Sequence, residues 1–257
     1  MEGYPVQTKP VALQLWTVRE LAKQDFVGVL KTLGQVGLAG VETAGLYGLA
    51  PKDVRKVLDD LGMKCCSTHG DIPTKETIAA RVDEALALGT KLVIAGLGPK
   101  DFATAETRKD GFARLQEATA LCAAAGVQFA YHNHAWEFDK FDGQLGYDLL
   151  MQAVPNLLGE VDTYWAANFG QNDPAVQIRR YAARVPLLHI KDGPLVQGQP
   201  NVAVGTGKMD IPAMVAAADP NVLSWLIIEF DQCATDMVKA VEESLQYLVK
   251  AGLGHGK

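Results

Sequence analysis

Short apolar runs alternate with longer amphipathic stretches along the chain. The runs are Val11–Trp16, Gly40–Thr43, Lys64–His69, Lys91–Ala95, Val127–His132, Leu158–Asp162, Pro186–Ile190 and Ser224–Phe230. Each is bounded by Gly, Pro, Asp or Asn and has the length of a buried strand. The stretches between them predict helices over Asp25–Val36, Pro51–Leu61, Thr74–Leu88 and Ala103–Ala125, each followed by glycine. Proline at a helix start and glycine just past its end is the expected asymmetry, because proline lacks only an N–H that is orphaned there anyway. Asp173-Pro174 opens another helix, and the last spans about Thr235–Ala251.

Eight strands and about eight helices in strict alternation predict parallel strands joined by right-handed crossovers. The 257 residues match the roughly 250 of one (β/α)8 barrel. The expected fold class is therefore α/β, a single TIM-barrel domain over residues 1–257, rather than an open doubly wound sheet. No Gly-x-Gly-x-x-Gly follows the first run and no Walker-type loop occurs, so nucleotide-binding folds lose their usual support.

Composition narrows the partners. A 48% hydrophobic and 21% charged chain has ample apolar material for a core. The net charge of −6 argues against nucleic acid, whose phosphates need clustered Lys and Arg. The densest basic stretch, Arg179, Arg180 and Arg184, has the spacing of a solvated helix face. Cys65, Cys66, Cys122 and Cys233 form no C-x-x-C pair. The adjacent two point to opposite faces of a strand, so buried reduced thiols are expected. Met1–Lys9 carries no apolar leader core, and no run approaches the roughly 18 residues of a membrane span. The expectation is a cytoplasmic protein with no membrane partner.

In a barrel, chemistry sits at the C-terminal ends of the strands. Glu42 ends the second run, and His69 with Asp71 ends the third. The fifth ends in Tyr131-His132-Asn133-His134, with Glu137 just beyond. Asp162 ends the sixth, His189 with Lys191 and Asp192 the seventh, and Glu229 with Asp231 the eighth. A lone strand-end Asp or His is usually a satisfied cap. Acids and imidazoles on nearly every strand converge on one mouth, where uncompensated carboxylates repel or take up protons. One divalent cation removes that cost, and mixed carboxylate–imidazole ligation suits Mn, Co, Mg, Fe or Zn.

These residues resemble the xylose-isomerase-like barrels, particularly the sugar phosphate isomerase/epimerase group, over essentially the whole chain. The segments that carry the resemblance are Leu13-Gln-Leu-Trp-Thr-Val-Arg19, Gly40-Val-Glu42, Tyr131-His-Asn-His-Ala-Trp-Glu-Phe138, Val161-Asp-Thr-Tyr-Trp165, His189-Ile-Lys-Asp192 and Ile228-Glu-Phe-Asp231. The resemblance implies one divalent metal held by Asp162, His189 and Glu229 and by a fifth-strand residue. Many relatives have Glu-Asn where this chain reads His132-Asn133, so the fourth ligand is expected to be Glu137, with His132 as the alternative. Trp165 stands where related epimerases often place a substrate-contacting His; it offers a face for stacking on a sugar ring, or else packs into the core. Gly205-Thr-Gly207 replaces a frequent Gly-Glu-Gly and suggests a flexible loop.

The activity implied is metal-dependent isomerisation or epimerisation of a ketose or keto-sugar by α-proton abstraction through an enediolate. Glu137 and Glu229 would move the proton, and Lys191 would steady the oxyanion or a substrate hydroxyl, unless it is a solvated loop lysine. Trp16, Glu42, His69, His132, His134 and Trp165 would line the sugar pocket. Two other readings stay open: a lyase or dehydratase of the inosose dehydratase type, and a non-catalytic sugar-binding barrel. Endonuclease activity, known in the superfamily, needs extra histidines and a basic face that the five histidines and net charge of −6 do not supply. No phosphate-binding loop is evident, which favours a free sugar. Relatives are often dimers or tetramers, so a homo-oligomer is one state open to the chain.

Overall fold

The computed structural model describes residues 8–257; the reading of the N-terminal segment falls outside it over residues 1–7. Eight barrel strands occur where the apolar runs predict them: β1 (Lys9–Gln14), β2 (Gly40–Ala44), β3 (Lys64–His69), β4 (Leu92–Ala95), β5 (Gln128–His132), β6 (Leu158–Asp162), β7 (Leu187–Ile190) and β8 (Trp225–Ile228). Neighbours pair in parallel in chain order. β8 returns to β1, with Val11 opposite Leu226 and Leu13 opposite Ile228, which closes a (β/α)8 TIM barrel. A short β-bridge segment, Gly254–His255, lies beside the start of β1.

The helices are α1 (Arg19–Val36), α2 (Pro51–Asp60), α3 (Ile78–Leu88), α4 (Ala105–Ala124), α5 (Gly146–Ala153), α6 (Pro174–Arg180), α7 (Ile211–Ala217) and α8 (Met237–Lys250). Their starts follow local chemistry. The side chains of Thr104, Asp173 and Asp236 accept backbone N–H bonds from Thr107, Ala175 and Lys239, satisfying donors that a helix start leaves orphaned. The predicted start at Asp25 marks a kink inside α1, where Asp25 leaves helical geometry and its Oδ1 accepts from Gly28 N. The predicted start at Thr74 is a turn ahead of α3, closed by Thr77 Oγ1 on Thr74 N. Arg184 is not on a solvated helix face: its guanidinium donates to the carbonyls of Met151, Val154 and Pro155 at the end of α5.

Side chains alternate across each strand, so every second residue enters the barrel. The middle of the interior is apolar and mostly small or branched: Ala12, Cys66, Ile94, Ala130, Leu187 and Ile227. Two residues further on, towards the C-terminal mouth, the same strands present Gln14, His132, His189 and Glu229, joined there by Glu42 and Glu160. The barrel thus changes from oil to a buried polar layer within one step of the pleat. Cys65 falls in the outer core cluster and Cys66 in this inner one, as the alternation requires.

The loop after β7 is held in place, contrary to the flexibility suggested for Gly205–Gly207. The fully buried Asp192 carboxylate accepts from the backbone N–H groups of Gly193, Gly205, Gly207 and Met209. Gly207 is required there, because a Cβ would come within 2.1 Å of Asp192 Oδ1. Asp192 is therefore a loop anchor rather than a mouth residue. Among the described residues, no helix is long and apolar enough to cross a membrane.

Candidate active site

At the C-terminal mouth, His132, Asp162, His189 and Glu229 each offer a donor atom, all within 4.8 Å of one another. They come from the ends of β5, β6, β7 and the residue after β8. Asn133 fixes the β5–β6 seam: its Nδ2 donates to Asp162 O (3.1 Å) and its Oδ1 accepts from Asp162 N (3.0 Å). Asp162 Oδ1 then accepts from Trp165 N (2.9 Å), which leaves Oδ2 aimed into the cluster.

One carboxylate missed from sequence, Glu160, holds both imidazoles. His132 Nδ1 lies 3.2 Å from its Oε2, and His189 Nε2 lies 3.1 Å from the same oxygen. His189 Nδ1 is on the opposite side of its ring, 2.8 Å from Glu229 Oε2. A histidine whose far nitrogen is held by a carboxylate has its tautomer and ring orientation set for ligation. The signal for Glu160 was available, since it lies two residues before Asp162 and so on the same strand face.

Glu42 sits beside Glu160, fully buried. It accepts from Gln14 Nε2 and Ser67 Oγ, and its Oε1 lies 3.3 Å from both His69 Nδ1 and His189 Nε2. Burial and the Glu42 charge push Glu160 well above the usual carboxylate range. Burial also opposes charge on Glu42, but His189 outweighs it and holds Glu42 low. Of the pair, Glu160 is therefore the one whose neutral form the site favours. For His189, burial pulls the pKa down, yet Glu160, Glu229 and Glu42 together lift it well above the usual imidazole value.

Lys191 is no solvated loop lysine. It is fully buried, with Nζ 2.8 Å from Asp162 Oδ2, 2.9 Å from Glu229 Oε2 and 2.8 Å from Asp231 Oδ2. Burial opposes its charge, but those carboxylates raise its pKa well above the ordinary lysine value. In return, Lys191 and then His189 overcome the burial of Glu229 and keep it ionised. Asp162 is pushed up to about 6 by burial in spite of Lys191.

Above the cluster lies a cavity of about 490 Å3 whose wall includes Trp16, His69, His132, His134, Glu229 and Asp231. Four residues expected to line a pocket are therefore there. Glu42 is not; it lies beneath the wall and acts on His189. Trp165 borders an adjoining cleft. Glu137 does not join the four donors. A short 3-10 turn over Trp136–Phe138 folds it back, so that its Oε1 accepts from Tyr131 OH (2.5 Å) and its Oε2 from His134 N (2.9 Å). Both oxygens are thus spent on shaping the loop after β5, and His132 occupies the place in the cluster expected for Glu137.

Comparison with known proteins bears on the fold and the family. The profile of the xylose isomerase-like TIM barrel family matches residues 30–251. This chain belongs to that family. Among solved structures, a sugar phosphate isomerase/epimerase from Parabacteroides distasonis superposes with a TM-score of 0.74 at 23% identity, covering 96% of each chain. The probable 3-DHS dehydratase AsbF from Bacillus anthracis superposes with a TM-score of 0.72 at 14% identity, covering 93% of this chain and 98% of that one. An AP endonuclease of family 2 from Brucella melitensis gives 0.71 at 14%, covering 95% and 99%. At these identities the likeness is one of fold. A search of curated proteins finds no significant match.

Xylose isomerase-like barrels often bind metal, and the residues present here fit a divalent ion. The donor set is two imidazoles and two carboxylates, a combination suited to first-row divalent metals. Asp162 Oδ2 and His189 Nε2 are buried and make no aligned hydrogen bond; they are held by ion pairs alone, to Lys191 Nζ at 2.8 Å and Glu160 Oε2 at 3.1 Å.

Two outcomes follow from the electrostatics. Replacing Lys191 by Met leaves buried carboxylates uncompensated, so the metal-free protein should lose about 3–5 kcal/mol in urea unfolding, with part recovered in millimolar Mn2+; a loss under about 1 kcal/mol would contradict the account of Lys191. Burial pushes Glu137 up to about 8, the bonds from Tyr131 and His134 pulling the other way. A raised carboxyl pKa means the folded state holds the proton more tightly, so its stabilisation is full below the unfolded value near 4.5 and is lost as pH rises towards 8. The slope is at most about 1.4 kcal/mol per pH unit. Glu137→Gln should flatten unfolding free energy against pH between 5 and 8; an unchanged slope would contradict the assignment.

Proposed function

We propose that this xylose isomerase-like barrel is a divalent-metal-dependent sugar isomerase or epimerase that moves the proton next to the carbonyl of a ketose or keto-sugar. The observation that carries the reading is the group His132, Asp162, His189 and Glu229, set directly beneath a sugar-sized cavity. These four residues would hold the ion, His132 taking the role expected of Glu137. A bound divalent ion would polarise the substrate carbonyl and stabilise the charge left when the α-proton departs.

The chain's own groups supply the proton transfer. Glu229 lines the cavity and is kept ionised by Lys191 and His189, the state a base needs. His134 lines the same cavity, and burial lowers its pKa to about 4, so it is a neutral imidazole able to accept or return a proton. Lys191, locked between Asp162, Glu229 and Asp231, sets the charge of the site. Tyr131 and Glu137 position His134 through the bond to its backbone N–H. Among the described residues, no Lys or Arg lines the cavity or the adjoining cleft, which supports a free sugar over a phosphorylated one. A second reading, a lyase or dehydratase, is favoured by the same His134: once it has taken the α-proton, the imidazolium could return that proton to a departing β-hydroxyl, which leaves as water.

Incubation of the metal-loaded protein with ketoses in D2O tests the proposal. Deuterium incorporation at the α-carbon without loss of water supports the isomerase or epimerase, whereas an enone or diketone product supports the lyase. Metal content gives a second readout. Protein with His189→Ala or Glu229→Ala should retain much less than the nearly one equivalent bound by the unaltered chain; equal content in all three would refute the ligand set.

A further inference from the structure

A second cavity of about 490 Å3 opens beside the first, and its wall includes His134, Trp136, Trp165, Asn168, Phe169 and Gln197. His134 lines both cavities, so the two adjoin at that imidazole. Trp165 ties the second part to the carboxylate cluster: its N–H donates to Asp162 Oδ1, and its ring centroid lies 5.3 Å from Lys191 Nζ. A cleft of this combined extent exceeds what one monosaccharide ring needs, because each part alone already falls in the roughly 300–1,000 Å3 range of small-molecule sites.

The walls of the second cavity suit a sugar ring. Trp136 stacks flat on His134, with centroids 4.3 Å apart and planes 12° from parallel. Across the cleft, Trp165 and Phe169 meet edge to face at 6.1 Å and 81°. Aromatic faces match the apolar C–H faces of pyranose and furanose rings, while Asp139, Asn168, Gln171 and Gln197 offer partners for the hydroxyls.

The backbone is held in a costly form at this place. Asn168 and Phe169 are consecutive non-glycine residues at φ +43° and +56°, and the second is an aromatic residue in the left-handed region, an uncommon and unfavourable state. Such residues persist only where their surroundings over-determine them. Here Asn168 Nδ2 donates to Phe138 O and Asp139 Oδ1, and Asn172 Nδ2 also reaches Phe138 O. The strained turn brings Phe169 to the wall that Trp136 and Trp165 also line.

We infer that the substrate is a two-ring glycoside, one ring seated over His132, Asp162, His189 and Glu229 and the second between Trp136, Trp165 and Phe169. This inference rests on the sugar reading of the site. Calorimetric titration of the full, Mn2+-loaded chain with fructose and with its glucosyl derivatives turanose and palatinose tests it. At least tenfold tighter binding of a disaccharide than of fructose is expected. Phe169→Gly should cut that ratio below twofold while raising the Tm, because glycine relieves the left-handed strain; a variant that merely misfolds would lower it. Equal affinity of the unaltered chain for fructose and both disaccharides overturns the two-ring assignment and leaves the sugar reading standing. Absence of binding by all three sugars refutes both.

Discussion

The structure depends on holding several carboxyl groups close together inside a barrel. Glu42, Glu160 and Asp162 are fully buried, and Glu229 is nearly so. Charges in such a place are costly unless each is matched. The match comes from two cations, Lys191 and His189, and from the raised pKa of Glu160, which favours its neutral form beside Glu42. Every other polar contact in the mouth serves that balance. Asn133 aligns the strand that bears Asp162, Gln14 and Ser67 hold Glu42, and Glu160 grips both imidazoles. A cluster held this tightly has few geometries open to it, which is the preorganisation that metal binding and proton transfer require.

The barrel makes the cluster possible through its pleat. Residues two apart on one strand face the same way, so apolar Ala130, Leu187 and Ile227 are followed inward-facing by His132, His189 and Glu229. The apolar layer excludes water from below, and the loops cover the sides. The Asp192 carboxylate anchors the loop after β7, and Glu137 braces the loop after β5. Carboxylates that look alike in sequence thus divide into three roles: binding charge in the centre, orienting an imidazole beneath it, and fastening a loop at the rim.

That division explains what could be read from sequence and what could not. The strands were legible because buried strands are short, apolar and punctuated by glycine and proline, and the helix ends because capping chemistry is local. Asp162, His189 and Glu229 stood out at strand ends. Glu160 did not, since it is hidden inside a run that reads as apolar, although the period of two places it with Asp162. Glu137 lies outside the cluster for a different reason. Its distance along the chain is compatible with ligation, but a 3-10 turn sends it back to Tyr131 and His134, and turn geometry of that kind is not encoded in a simple spacing. Nor does sequence reveal that Phe169 is left-handed, so the aromatic cleft emerges only in three dimensions.

The central claim is that two imidazoles, His132 and His189, hold the ion together with Asp162 and Glu229. X-ray absorption spectroscopy of the full chain loaded with one equivalent of Co2+ tests it most directly, because imidazole rings give distinctive outer-shell scattering. The account predicts two imidazole ligands, falling to one in His132→Ala. A single imidazole in the unaltered protein, or scattering unchanged by the substitution, would contradict it and return Glu137 to the metal.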